Sequence, residues 1–325
     1  TAGYHRLFAH RSYKTHPFIE TVLLFFGSSA FQCSALRWCY DHRLHHAHVD
    51  TDKDPYSIKK GFWYAHFLWM LEKQRDIDSK VVPDMMKNPR VMFQHRYDNL
   101  CMIVSNFLVF LLCGFLLGDF LGAFVMIIWV RLLLLHHFTW FINSLAHTWG
   151  SKPFSEEQSA VNNFIISLVT FGEGYHNYHH TFAHDYRNGV RWYHFDPTKW
   201  FVWTLNKLGL ASHLRTVDPY TIQKKMVIEK KGQLLNRLRD LWYVKRDELE
   251  AKIQTFSDEM MSKMALFDQR RRDYLSLKQQ SHESEHLKTL HEELSKLQTS
   301  IREDWNEWKK LCKHIHHLKP LKIPG

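Results

Sequence analysis

The sequence is poor in the residues that staple or punctuate small secreted folds. Its 325 residues hold five cysteines (Cys33, Cys39, Cys101, Cys113 and Cys312), none in a C-x-x-C pair and two inside apolar runs. That pattern argues against a disulfide framework and a zinc ribbon, and a reducing compartment fits. No H-E-x-x-H occurs, so a zinc-protease reading has no general base. No nucleic-acid-binding motif accompanies the net charge of +10, which fits a membrane surface or an anionic substrate instead. Glycine and proline are absent from residues 233–319, which points to long uninterrupted helices there. The chain begins with Thr1 rather than Met, and the histidine-bearing stretch H-R-L-F-A-H starts four residues later. A ligand helix needs a support ahead of it, so a preceding portion of the natural protein is expected.

Histidine is what the sequence has in plenty, 24 in all. Nine of them fall into three clusters and a singleton. G-Y-H-N-Y-H-H carries His176, His179 and His180, and D-H-R-L-H-H carries His42, His45 and His46. Spacing of i, i+3 and i+4 places three imidazoles on one helix face. H-R-L-F-A-H adds His5 and His10, whose i, i+5 spacing does not share an α-helical face and is expected at a helix end. His147 follows one turn after Asn143 in N-S-L-A-H. Neutral imidazole suits zinc, copper, iron or nickel. Nine ligands are too many for one ion and about right for two ions with four or five each. Unrelated structural histidines account for any one of the nine, but poorly for the repeated H-x-x-H-H. Asp41, beside His42, is either an acceptor for an imidazole N–H or a solvated carboxylate.

The rest of the chain reads as a membrane protein with an appendage. Residues 18–39 are mostly apolar but broken by Glu20, Gly27 and Gln32, which suits a buried or interfacial helix better than a span. Residues 62–71, F-W-Y-A-H-F-L-W-M-L, flanked by Lys59, Lys60, Lys73 and Arg75, read as an interfacial amphipathic helix. Residues 100–118 contain no charge, and residues 120–142 form a second long apolar run. Gly118, Asp119 and Gly122 mark the turn between them, which makes a transmembrane hairpin with both ends on one face. Arg131 must then face protein or an interface, and His136 and His137 are expected to hydrogen-bond within the bundle. His184 and His194 fall outside the ligand spacing.

The order H-R-L-F-A-H, H-R-L-H-H, N-S-L-A-H, H-N-Y-H-H resembles the membrane acyl-CoA Δ9-desaturases, the stearoyl-CoA desaturase family, and D-T-D-K-D-P-Y-S resembles that family's segment after its second box. The resemblance spans roughly residues 1–220. It implies an all-α integral membrane bundle of four transmembrane helices with a cytosolic His-box cap, the hairpin here being the third and fourth helices. The first helix and most of the second would lie ahead of Thr1. It implies two Fe ions held by His5, His10, His42, His45, His46, His147, His176, His179 and His180, with Asn143 reaching a metal through water. Trp38 and Trp140 match tryptophans near the acyl tunnel, and Asp41 and Lys73 lie at substrate-binding positions. Tyr40 stands where animal members have Arg, and Glu72 and Gln74 flank Lys73, so the acyl carrier is either CoA or another lipid. There is no H-P-G-G haem motif, so the electron donor, of cytochrome b5 or ferredoxin type, is expected to be separate. The implied membrane is the endoplasmic reticulum in a eukaryote or the inner membrane in a bacterium, with the boxes on the cytosolic side.

The implied reaction is O2-dependent desaturation of a long acyl chain, between carbons 9 and 10 if the tunnel length matches the family's. A saturated methylene offers no acidic proton and no electrophile, so redox metal and O2 are needed. A membrane hydroxylase or alkane monooxygenase uses similar boxes and is the alternative, and a non-enzymatic membrane scaffold is the third reading. Residues 221–325 are different material. Leu249, Ile253, Phe256, Met260, Met264 and Phe267, and then Leu287, Leu290, Leu294, Leu297, Ile301, Trp305 and Trp308, recur at threes and fours. They predict long helices in a coiled coil that self-associates, or in a hairpin folded through residues 270–284. His314, His316 and His317 receive no role.

Overall fold

The computed structural model describes residues 1–239, 241, 245–280 and 285–318. The chain divides into two compact units, Thr1–Val217 and Asp218–Gly325. The first opens on a π-helix, Ala2–Ala9, followed by a strand β1 (Lys14–Thr15) and helices α1 (Pro17–Ser28) and α2 (Ala35–His48). Short helices α3 (Phe62–His66), α4 (Pro83–Met86) and α5 (Pro89–Arg96) precede the long α6 (Asp98–Leu117). The return run is α7 (Phe120–Ala123), a π-helical stretch Phe124–Val130, and α8 (Arg131–Asn143). Then come α9 (Phe164–Val169), α10 (His176–Thr181), α11 (Pro197–Lys207) and β2 (Ala211–Ser212), which pairs antiparallel with β1. All-α is the fold class.

Among the described residues, two helices are long and apolar enough to cross a membrane, Asp98–Leu117 and Phe120–His147. At 1.5 Å per residue, the first is about 30 Å long, the thickness of a hydrocarbon core. Leu112, Phe115, Leu116 and Leu117 stand exposed on it, which suits lipid better than water. Gly118 takes the left-handed conformation at φ 65°, and Asp119 caps the return helix by accepting from Gly122 N at 2.8 Å. Arg131 turns into protein, where Nε donates to Ile127 O at 2.9 Å and Nη2 donates to Ser29 O at 3.1 Å and to Asn106 Oδ1. His136 meets Ala30 O at 2.8 Å and His137 meets His66 at 3.2 Å, so both bond within the bundle.

The single interfacial helix expected over residues 62–71 is instead two pieces. α3 ends at His66, Phe67 leaves helical geometry at φ −147°, and a 3-10 turn covers Leu68–Leu71. His66 is buried, and its Nδ1 lies 3.0 Å from Ser144 Oγ, so a tertiary contact to the end of α8 overrides the local amphipathic pattern.

The second unit contains α12 (Pro219–Arg239), α13 (Arg246–Gln280) and α14 (Glu285–His317). Its core joins Val227, Leu234 and Leu238 of α12 to Ile253, Met260 and Met264 of α13 and Ile301, Trp308 and Ile315 of α14. The two repeats of threes and fours therefore pack against each other and against α12 within one chain. Lys263 and Asp304 form an ion pair at 2.6 Å across α13 and α14.

Candidate metal centre

His5 and His10 lie on and beside the N-terminal π-helix, not at the end of an α-helix. Its backbone bonds run from Arg6 N to Thr1 O at 2.9 Å and from His10 N to His5 O at 3.0 Å, an i to i+5 ladder. His10 is the C-cap of this helix, so the box does close a helix, one of wider winding than an α-helix. Under i to i+5 bonding, residues five apart fall on one face, and the two imidazole centroids are 4.7 Å apart.

All nine histidines converge, in two groups. His5, His10, His42, His46 and His179 form one, and His45, His147, His176 and His180 the other, with the candidate ligand atoms of each group within 4.8 Å of one another. Each H-x-x-H-H box serves both groups in opposite proportion. α2 gives two histidines to the first group and one to the second, and α10 gives one to the first and two to the second. All but His46 and His180 are buried.

The Nε2 atoms face one another. His5 and His46 each lie 3.0 Å from His179, and His10 lies 2.8 Å from His42. His176 lies 3.1 Å from His147 and 3.0 Å from His180, and His45 lies 3.3 Å from His180. Two nitrogens about 2.1 Å from a shared ion and at right angles are about 3.0 Å apart. Nitrogens at these separations would be able to share an ion as common ligands. Burial pushes His5, His10, His42, His46, His176, His179 and His180 below the ordinary histidine value. Neutral imidazole is the form a metal requires.

The outward Nδ1 atoms find partners that sequence reading missed. His45 Nδ1 lies 2.9 Å from Asp54 Oδ1, and His147 Nδ1 lies 2.6 Å from Ser159 Oγ. His42 Nδ1 lies 3.3 Å from the Tyr56 hydroxyl. Glu173 Oε2 lies 3.0 Å from His5 Nδ1, and its Oε1 accepts from Arg6 Nη2 at 3.0 Å. Arg6 is almost wholly buried and also pairs with Asp196 at 2.9 Å, tying the first box to the loops around the third. Burial by itself raises the Glu173 carboxyl, but its contacts with His5 and with the Arg6 guanidinium overcome it and hold Glu173 well below the ordinary range. A signal existed: Glu173 stands three residues before His176 and Arg6 beside His5. Their meeting across the fold was not in it.

The third box is seated by close backbone approach. Asn163 N donates to Gly174 O at 2.8 Å, and a Cβ on Gly174 would stand 2.3 Å from Ser167 N. Only glycine fits there.

The remaining candidate residues are distributed around the groups. Trp38 stacks on His42 with centroids 4.8 Å apart. Trp140 on α8 packs against His137 and His66, with centroids at 5.2 and 5.8 Å. Asn143 closes α8, four residues before His147. Lys73 is exposed beyond the 3-10 turn. Asp41 does not accept from a ligand histidine. It faces Arg37 at 3.6 Å, one turn back on α2 where the helix periodicity places it, and burial raises its carboxyl to about 6. Of the excluded histidines, His184 contacts His10 O at 3.0 Å and His194 stacks on Tyr175 at 4.2 Å.

Comparison with known proteins gives a consistent picture. A family model described as fatty acid desaturase matches residues 1–213. A probable acyl-CoA desaturase of Schizosaccharomyces pombe is 47% identical over 245 residues, 74% of this chain and 50% of that protein. Acyl-CoA desaturase 1 of Saccharomyces cerevisiae is 37% identical over 237 residues, 72% of this chain and 46% of its own length. An sn-2 palmitoyl-lipid 9-desaturase of Nostoc sp. is 38% identical over 223 residues, 67% of this chain and 76% of that protein. The chain thus spans about half the length of the two fungal relatives.

Proposed function

The chain belongs to the fatty acid desaturase family, and from that premise we propose that it introduces a double bond into a saturated long-chain acyl group, carried on CoA, at the Δ9 position. The observation that carries this reading is the division of nine inward-facing imidazoles into groups of five and four. Such a donor set fits two iron ions, held by His5, His10, His42, His46 and His179 and by His45, His147, His176 and His180, with Asn143, four residues before His147, assigned to reach a metal through water. When bound, the iron pair supplies O2 activation and removal of two hydrogens, two of the four electrons for O2 coming from the acyl chain and two from a separate donor.

The protein's own part is placement. Glu173, Asp54 and Ser159 hold imidazoles by their Nδ1 side, which leaves Nε2 free as the donor. Trp38, stacked on His42, and Trp140 give the acyl chain rigid apolar surfaces, and fixed geometry decides which carbons react. Asp41 and Lys73 are assigned to the carrier end. Helices α6 and α8 hold this assembly in a membrane, with the boxes on the cytosolic side.

The test is expression of the full natural chain in cells, followed by gas chromatography and mass spectrometry of the fatty acids. Loss of two hydrogens at carbons 9 and 10 is the expected product. Gain of one oxygen assigns the chain to the hydroxylase chemistry instead, and no modified acyl group on CoA or lipid overturns the enzymatic reading.

A further inference from the structure

We infer that the loop after the second histidine box orients the four-histidine group, Asp50 acting through Ser159 on His147 and Asp54 acting directly on His45. The inference rests on the two-metal reading above.

Ser159 Oγ donates to Asp50 Oδ1 at 2.5 Å, and Ser159 N donates to Asp50 Oδ2 at 2.6 Å. Both carboxylate oxygens of Asp50 therefore grip one serine. With its single proton given to Asp50, Ser159 Oγ has only lone pairs to offer His147 Nδ1, 2.6 Å away. His147 must then carry its proton on Nδ1, and its Nε2 presents a lone pair toward His176 at 3.1 Å. The same logic acts at His45, whose Nδ1–H donates to Asp54 Oδ1 at 2.9 Å while Nε2 faces His180.

The two carboxylates are built as one device. Asp50 N donates to Asp54 Oδ2 at 3.3 Å, and Tyr56 N donates to Asp54 Oδ1 at 3.2 Å. Asp54 is 1% exposed, so it has no water to replace these partners. Asp50 holds φ 64°, a left-handed conformation that costs a residue other than glycine free energy. That conformation is kept in a residue whose carboxylate faces across the fold to Ser159, 109 positions away. One loop thus sets the proton position on two of the four ligands of a single group. The five-histidine group draws on Glu173, and the loop reaches it only through the Tyr56 hydroxyl at 3.3 Å from His42, not through Asp50 or Asp54. Asp50, Ser159 and Asp54 are positioning residues, acting through His147 and His45.

The experiment is an anaerobic titration of the purified full chain with ferrous iron, read as iron bound against free iron. The parent is expected to take up two tight equivalents. Ser159→Ala and Asp50→Gly each weaken one equivalent by about 10- to 100-fold and leave the other unchanged, the usual size of an outer-contact loss. Asp50→Gly removes the carboxylate while relieving the backbone, so a purely conformational role predicts normal binding. Ser159→Thr keeps the hydroxyl and restores the parent curve. Parent-like titrations for Ser159→Ala and Asp50→Gly, or equal weakening of both equivalents, overturn the inference while the two-metal reading stands. A parent without two tight equivalents removes that reading and this inference with it.

Discussion

His45 and His46 are consecutive in the chain, with ring centroids 5.6 Å apart, yet they face different groups: His45 meets His180 Nε2 at 3.3 Å and His46 meets His179 Nε2 at 3.0 Å. Neighbouring positions on a helix diverge by about 100°, so α2 lies between the two groups and feeds both.

Substitutions at this pair should separate the groups. His45→Ala is expected to lose the tight iron of the four-histidine group and His46→Ala that of the five-histidine group. Adding Asp50→Gly to His45→Ala should change iron binding little, whereas adding it to His46→Ala should leave no tight equivalent. Additive losses in both double variants would contradict the assignment.

His179 touches both His5 and His46 at 3.0 Å. His179→Ala is expected to abolish alkene production while the protein still partitions into the membrane fraction, since the apolar hairpin is untouched. Product at the parent level in that variant rules out a ligand role for His179.

Arg6 lies buried between Glu173 at 3.0 Å and Asp196 at 2.9 Å. Arg6→Met leaves two buried carboxylates without their cation and is expected to cost about 3–5 kcal/mol. The thermal unfolding midpoint should fall markedly, and Glu173→Gln in the same chain should recover part of the loss. An unchanged midpoint refutes the account.

His194 stacks on Tyr175, and burial, then Arg191 and Lys199, push its pKa down to about 4. The unfolded chain binds this proton near pH 6.5, so stability falls as pH drops from 6.5 toward 4. The full shift is worth about 3 kcal/mol, and the ring's partial exposure reduces that to roughly 1–2 kcal/mol. His194→Phe keeps the stack and should flatten the pH dependence of unfolding over this window. The same slope in the variant shows that other groups carry it.

Residues 218–325 are expected to fold without the rest of the chain. The fragment should be helical by circular dichroism, unfold cooperatively and sediment as a monomer, because its apolar seam is closed internally. Trp308, 2% exposed and 6.0 Å from the Phe256 ring, makes Trp308→Ala worth about 3–5 kcal/mol. A dimer mass points to the intermolecular coil, and removal of this unit from the full chain should leave iron content unchanged.

The sequence by itself determined the helical class, the apolar hairpin and the nine histidines, because each is written in local spacing: i, i+3 and i+4 on one face, or a bilayer's length without charge. Tertiary structure alone decided how the nine divide between two groups, since His42 and His45 share a face and part only where α10 meets α2. It decided that His5 and His10 meet through a π-helix, a backbone choice that the i, i+5 spacing left open. It also decided the partners behind the ligands. Asp41, one residue from His42, turned to Arg37, while Glu173 lies 168 positions from the His5 it faces and Asp50 lies 109 positions from the Ser159 through which it reaches His147. Hydrogen bonds act over about 3 Å of space whatever the distance along the chain, so local pattern carries the elements and only folding brings such pairs together.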